Sequence, residues 1–142
     1  MATVSKKIFI EGSFFIAFID RGNLNYSKAV ECLGFIAHNK YKVYTLSSVI
    51  LQTVVSIERD LGITMANEFL RAILESNIEI LYIGKSDFQA ALRYLKVNPS
   101  QTSYFSTIVK SIIMQKNYIN TVLTFDLWPN IMGTSVSSLI TT

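Results

Sequence analysis

The chain has one cysteine, no long apolar run and few charged residues, and each shortage removes a class of protein. A lone thiol, Cys32, excludes an internal disulfide and a thiolate zinc cluster. Beside the apolar stripe of an expected helix, it reads as a partly buried, inert thiol. The longest apolar run, Phe14 to Ile19, is far too short to cross a bilayer, so no membrane role is expected. Lys6 and Lys7 before an apolar stretch resemble the start of a signal peptide. Glu11 interrupts that stretch, and Asp20 and Arg21 follow in place of a small-residue cleavage site. A mature, cytoplasmic chain is expected. Repeats, linkers and low-complexity tracts are also missing.

What remains is apolar and mildly basic. Half of the 142 residues are hydrophobic and the mean hydropathy is positive, so little of the chain should be disordered. This length fits a single domain spanning 1–142 with a real core. The net charge of +3 permits contact with nucleic acid without demanding it.

Periodicity alternates along the chain. Ile8 to Ile10 reads as a buried strand that ends on Glu11 and turns into a short apolar helix near Ser13 to Ile19, with Phe14, Phe15 and Phe18 in the core. Asp20-Arg21-Gly22-Asn23 is a turn. Tyr26, Ala29, Val30, Leu33, Ile36 and Ala37 recur at helical spacing, and His38 stands at that helix's end as a solvated cap. Lys42 to Leu46 is a strand. Ser47 or Ser48 caps a helix burying Ile50, Val54, Ile57 and Leu61, and Gly62 ends it. The next helix turns Ile63, Ala66, Leu70, Ile73 and Leu74 inward. Ile78 to Ile83 reads as a strand, and Ser86 with Gln89 forms a capping box before Phe88, Ala91, Leu92 and Leu95. After the break at Asn98-Pro99-Ser100, Ser103 caps a helix burying Phe105, Ile108, Val109 and Ile112. Val122 to Asp126 is a strand, Trp128-Pro129-Asn130 a loop, and Ser135 to Ile140 a last edge strand. Such alternation predicts an α/β fold, a three-layer α/β/α sandwich with a mostly parallel central sheet, because parallel strands need crossover connections.

Two of the strands end on carboxylates, Glu11 and Asp126, and the exits of parallel strands are where α/β folds build their sites. The order Ile8-Phe9-Ile10-Glu11-Gly12-Ser13-Phe14-Phe15-Ile16-Ala17, then Ile19-Asp20-Arg21-Gly22, then Ser48 to Val54, then Val122 to Asp126, resembles the PIN domain, a small nuclease fold, across essentially the whole chain. The resemblance implies one or two Mg²⁺ or Mn²⁺ ions held by three or four acids, with metal-activated water cutting single-stranded RNA. Hard divalent ions want oxygen ligands and negative charge, and the bound ion lowers the pKa of its water.

Placed on that pattern, Glu11 stands at the first Asp, one methylene longer. Gln52 stands at the acid of the third helix, Ser106 at the central helical acid, Asp126 at the last acid, and Ser13 at the hydroxyl beside the site. Two of four charges are therefore gone and a third is displaced. Metal affinity should fall by about two orders of magnitude or more, at ~1–3 kcal/mol per lost charge. Asp20, Asp60 and Asp87 read as turn, helix-end or helix-start residues, not substitutes.

Glu11 has a plainer reading, bonding the amides of the following helix, and Asp126 could cap the loop before Trp128. Gln52 and Ser106 are expected to bond each other or water across the cleft.

The expected function is a degenerate PIN-type protein that binds RNA, a ribonucleoprotein or a protein partner, with no cofactor. Lys6, Lys7, Lys40, Lys42, Lys85, Lys110 and Lys116 are the candidate phosphate contacts. The enzymatic alternative is a weak Mg²⁺- or Mn²⁺-dependent ribonuclease of toxin–antitoxin type using Glu11 and Asp126. A sticky helical face would pair two copies into a homodimer.

Overall fold

Strand β1, Lys7–Ile10, is the strand around which the others assemble. Ile8, Phe9 and Ile10 are all buried, as a central parallel strand covered on both faces requires. The computed structural model describes residues 6–132 and 136–138. Within them β1 pairs with β2, Lys42–Leu46, on one side and with β4, Thr121–Leu123, on the other. Strand β3, Glu79–Leu81, extends the β2 side, and β5, Ser137–Ser138, extends the β4 side. The order is β3-β2-β1-β4-β5, and every pair is parallel. Helices on both faces complete the three-layer sandwich expected from the sequence.

The helices are α1 (Gly12–Ile19), α2 (Tyr26–His38), α3 (Ser47–Leu61), α4 (Ile63–Glu75), α5 (Lys85–Val97) and α6 (Phe105–Lys116). Helix α1 packs against α2 and α3, α3 against α4, and α5 against α6.

Several local expectations are corrected. Phe18 is 42% exposed, while Phe14 and Phe15 hold the core. In α2 Ala29 and Ile36 are buried but Val30 is not. Helix α3 starts directly at Ser47 with Leu46 before it and no side-chain cap, so neither Ser47 nor Ser48 has that role. Its buried line is Val49, Thr53 and Ile57, with Ile50, Val54 and Leu61 at the margin of the core. In α4 Phe69 turns inward, edge-on to Phe15 at 5.4 Å, and leaves Leu70 and Leu74 in solvent. One bulky ring meets the core where two leucines were expected.

The 78–83 strand shortens to Glu79–Leu81, and Tyr82 is exposed. Helix α5 begins at Lys85, two residues earlier than the Ser86–Gln89 pattern implies. Gly84 N–H donates to Asp87 Oδ2 at 2.9 Å, so Asp87 is the capping carboxylate. Phe88 and Leu92 are nearly half exposed beside buried Ala91. Ser103 lies inside a 3₁₀ helix, Pro99–Tyr104, and caps nothing. Strand β4 ends at Leu123, three residues before Asp126. The expected 135–140 strand survives as Ser137–Ser138; Ser135, Leu139 and Ile140 lie outside the described residues.

Ser111 on α6 is the one buried side-chain polar group without a hydrogen-bond partner among the described residues. A hydroxyl dried without compensation costs stability. Ser111→Ala is therefore expected to stabilise the fold by about 1 kcal/mol, read as a higher urea midpoint at unchanged slope.

Candidate functional site

Three parallel strands release the chain at one rim, and the cleft there is built from their exits. Glu11 leaves β1 with its N–H on Leu123 O at 3.0 Å, which ties it to the neighbouring strand. Gly12 follows at the start of α1, and the close approach of α3 demands a residue without a side chain. A Cβ there would stand 2.8 Å from Thr53 Oγ1. Ser13 Oγ then accepts Phe125 N–H at 2.9 Å and lies 3.0 Å from Thr124 Oγ1, which accepts Asp126 N–H at 3.1 Å. This pair of hydroxyls fastens the start of α1 to the end of β4. Ser13 is thus a positioning residue whose oxygen is already engaged.

The resulting cleft, about 390 Å³, is lined by Glu11, Gly12 and Ser13, by Gln52, Thr53 and Ser56 of α3, and by Lys110 and Asp126 among others. Glu11, Ser13, Gln52 and Asp126 are therefore brought together. Ser106 is not: it is exposed on the first turn of α6 and is absent from the cleft wall. The expected Gln52–Ser106 contact is not made. The residue sequence reasoning undervalued is Lys110, one turn further along α6. Side chains on a helix lean toward its N-terminus, so the long stem of Lys110 covers the surface beside Ser106.

Lys110 Nζ lies 3.1 Å from Glu11 Oε1 and hydrogen-bonds Oε2 at 3.2 Å. Their side chains are only 11% and 12% exposed. Glu11 precedes α1 directly, yet its side chain makes no capping bond, so the plainer reading of this carboxylate is corrected. The ammonium takes it instead. Asp126 is exposed, and its carboxylate has no partner among the described residues.

The Mg²⁺ or Mn²⁺ implied by the PIN resemblance does not fit these donors. One carboxylate is held by an ammonium at both oxygens, Gln52 is neutral, and Ser106 is outside. Among the described residues no three His, Cys, Asp or Glu side chains come together to hold a metal ion. A divalent ion would have to displace Lys110 and share the space with its positive charge.

The other candidates separate in space. Lys6, Lys7, Lys40 and Lys42 lie at or before the beginnings of β1 and β2, the end of the sheet opposite Glu11. Lys116 pairs with Asp87 at 3.3 Å. Lys85 is exposed at the start of α5, and His38 is exposed at the end of α2. Burial pushes the Cys32 thiol up, with the Glu31 charge adding to the shift, so the thiol stays protonated and unreactive. Asp20 bonds the turn amide of Gly22, and Asp60 pairs with Arg59.

No family model and no curated protein sequence matches the chain. Solved structures do. The chain is similar to VapC20 of Mycobacterium tuberculosis, a Sarcin-Ricin loop cleaving toxin, with TM-score 0.70, 20% identity, and coverage of 84% of this chain and 89% of that one. It is also similar to VapBC2 of Rickettsia felis, solved with a DNA fragment from its promoter, with TM-score 0.60, 14% identity, and coverage of 93% and 96%. The fold is the PIN-domain fold expected from the sequence. Among the described residues no helix is long and apolar enough to cross a membrane.

Ser13→Ala would leave Phe125 N–H without its acceptor. The expected loss is about 1–2 kcal/mol, with faster amide hydrogen exchange confined to residues 124–126 and the start of α1.

Proposed function

We propose that this chain, taken as one domain over 1–142, is a PIN-fold protein that binds single-stranded RNA without hydrolysing it. The observation that carries the reading is the Glu11–Lys110 pair. The carboxylate best placed to hold a metal already holds a cation that belongs to the chain. Gln52 adds an oxygen without charge, and Asp126 alone is too little anion to hold Mg²⁺ against water. RNA remains the preferred ligand because the chain is net basic and keeps a fold shared with a Sarcin-Ricin loop cleaving toxin.

A second reading rests on that same likeness: a weak Mg²⁺- or Mn²⁺-dependent ribonuclease of toxin–antitoxin type, acting through Glu11 and Asp126 with Gln52 beside them. It requires Lys110 to release Glu11.

The test is Mn²⁺ titration by calorimetry alongside incubation with a labelled single-stranded RNA. The unaltered protein is expected to bind RNA equally well with EDTA or Mn²⁺ and to leave it intact. Lys110→Met combined with Gln52→Glu is expected to bind Mn²⁺ at least tenfold more tightly than the unaltered chain, because it frees one carboxylate and adds another. Mn²⁺-dependent cleavage by the unaltered protein, abolished in Asp126→Asn, would establish the nuclease reading instead. If RNA binding is absent at low salt, a protein partner is the remaining form of the binding hypothesis.

A further inference from the structure

The cleft is a poor place for a phosphate, since one ammonium there faces two carboxylates, Glu11 and Asp126. The opposite end of the sheet has the reverse balance. Lys7 and Lys42 are register partners across the parallel β1–β2 pair, which sets two like charges side by side. Lys6 precedes β1 and Lys40 precedes β2, so four ammoniums gather at this edge. Among the described residues the carboxylate ion-paired with them is Glu79, 3.3 Å from Lys42.

Aromatic rings lie among these charges. Lys6 stands 5.9 Å from the Tyr41 ring centre, Lys42 5.3 Å from that of Tyr44, and Lys7 5.8 Å from those of both Tyr44 and Tyr118. Tyr118 is 85% exposed, so its ring offers a face to solvent. A concavity of about 380 Å³ opens beside Lys40, Tyr41 and Lys42.

The backbone adds an independent observation. Lys40 and Tyr118 adopt φ of 56° and 58°, the left-handed conformation that favours glycine or asparagine. Both follow a helix end, where a glycine would relieve the strain. At both positions the chain carries a cation or a ring in a conformation that folding alone would give to a smaller residue. Met132, between β4 and β5, shares the conformation at φ 61°, so the strain alone assigns no role; at Lys40 and Tyr118 it coincides with the gathered cations and rings.

We propose that this end of the sheet, remote from the cleft, is the RNA-binding surface. Lys6, Lys40 and Lys42 would meet backbone phosphates, and Tyr118 would stack on a base. The inference rests on the RNA reading above and supplies its site. Phosphate contact accounts for affinity without sequence preference, and stacking on an exposed ring accepts any base.

The experiment uses a fluorescein-labelled twelve-nucleotide oligo(U) RNA, with anisotropy read in EDTA at several salt concentrations. Lys40→Asn and Tyr118→Asn put a residue tolerant of left-handed φ at each position, so thermal stability should hold or rise. RNA affinity should nonetheless fall, at least fivefold for each and at least tenfold for the pair. Lys42→Ala should flatten the slope of log affinity against log salt by about 0.7 for each phosphate it no longer neutralises. A merely structural role would move stability and affinity together.

Unaltered affinity in the double asparagine variant overturns this surface while leaving RNA binding itself intact. So does a loss as large from Lys110→Met, which would return the RNA to the cleft, or from Lys96→Glu on α5, which would show general charge attraction only. If the unaltered protein binds no RNA, the function proposed above fails and this surface fails with it.

Discussion

The tightest constraint in this molecule is the pairing of Glu11 with Lys110 in a place where neither is well hydrated. At 3.1 Å and an effective dielectric near 20, their attraction is about 5 kcal/mol before desolvation is counted. Removing each ion from water costs several kcal/mol, so the pair offsets its own burial and adds little net stability. Its consequence is one of occupancy. A carboxylate held at both oxygens is no longer an open ligand, and the neighbouring positive charge repels any second cation. The cleft and the chemistry open to it follow from that.

The pair depends on the sheet. Glu11 is delivered to the rim because Ile8, Phe9 and Ile10 are buried on both faces of β1, so a shift of that strand would bring apolar side chains out of the core. Ser13 and Thr124 then fix α1 against the end of β4, and glycine at position 12 lets α3 approach. On the other side, Ile108, Val109, Ile113 and Met114 bury α6, which sets the height from which Lys110 reaches the rim. The ion pair is thus where two separately packed elements converge. The opposite edge of the sheet is free of this geometry, and cations and rings collect there.

Much of the fold was legible in advance. Apolar residues recurring at helical spacing marked all six α-helices among the described residues, though not the 3₁₀ helix Pro99–Tyr104, and the alternation of strand and helix required a parallel sheet. Errors fell at helix starts and on mixed faces. Asp87 in place of Ser86 and Gln89 caps α5, because the chain enters that helix two residues earlier. Phe69 displaces Leu70 and Leu74 because a single ring reaches Phe15 across α1 and α4. Such choices depend on the facing element, which local periodicity does not contain.

The site divides the same way. The sequence by itself determined that Gln52 and Ser106 are neutral in any fold, and it marked the strands whose exits bring Glu11 and Asp126 to the rim. Tertiary structure alone decided that Ser106 stands outside the cleft and that Lys110, 99 residues from Glu11, places its ammonium on that carboxylate. It also decided that Lys7 and Lys42 share an edge far from both. The physical reason is range: charge and periodicity are local properties of a chain, whereas the partner of a dehydrated charge is chosen by how distant elements pack.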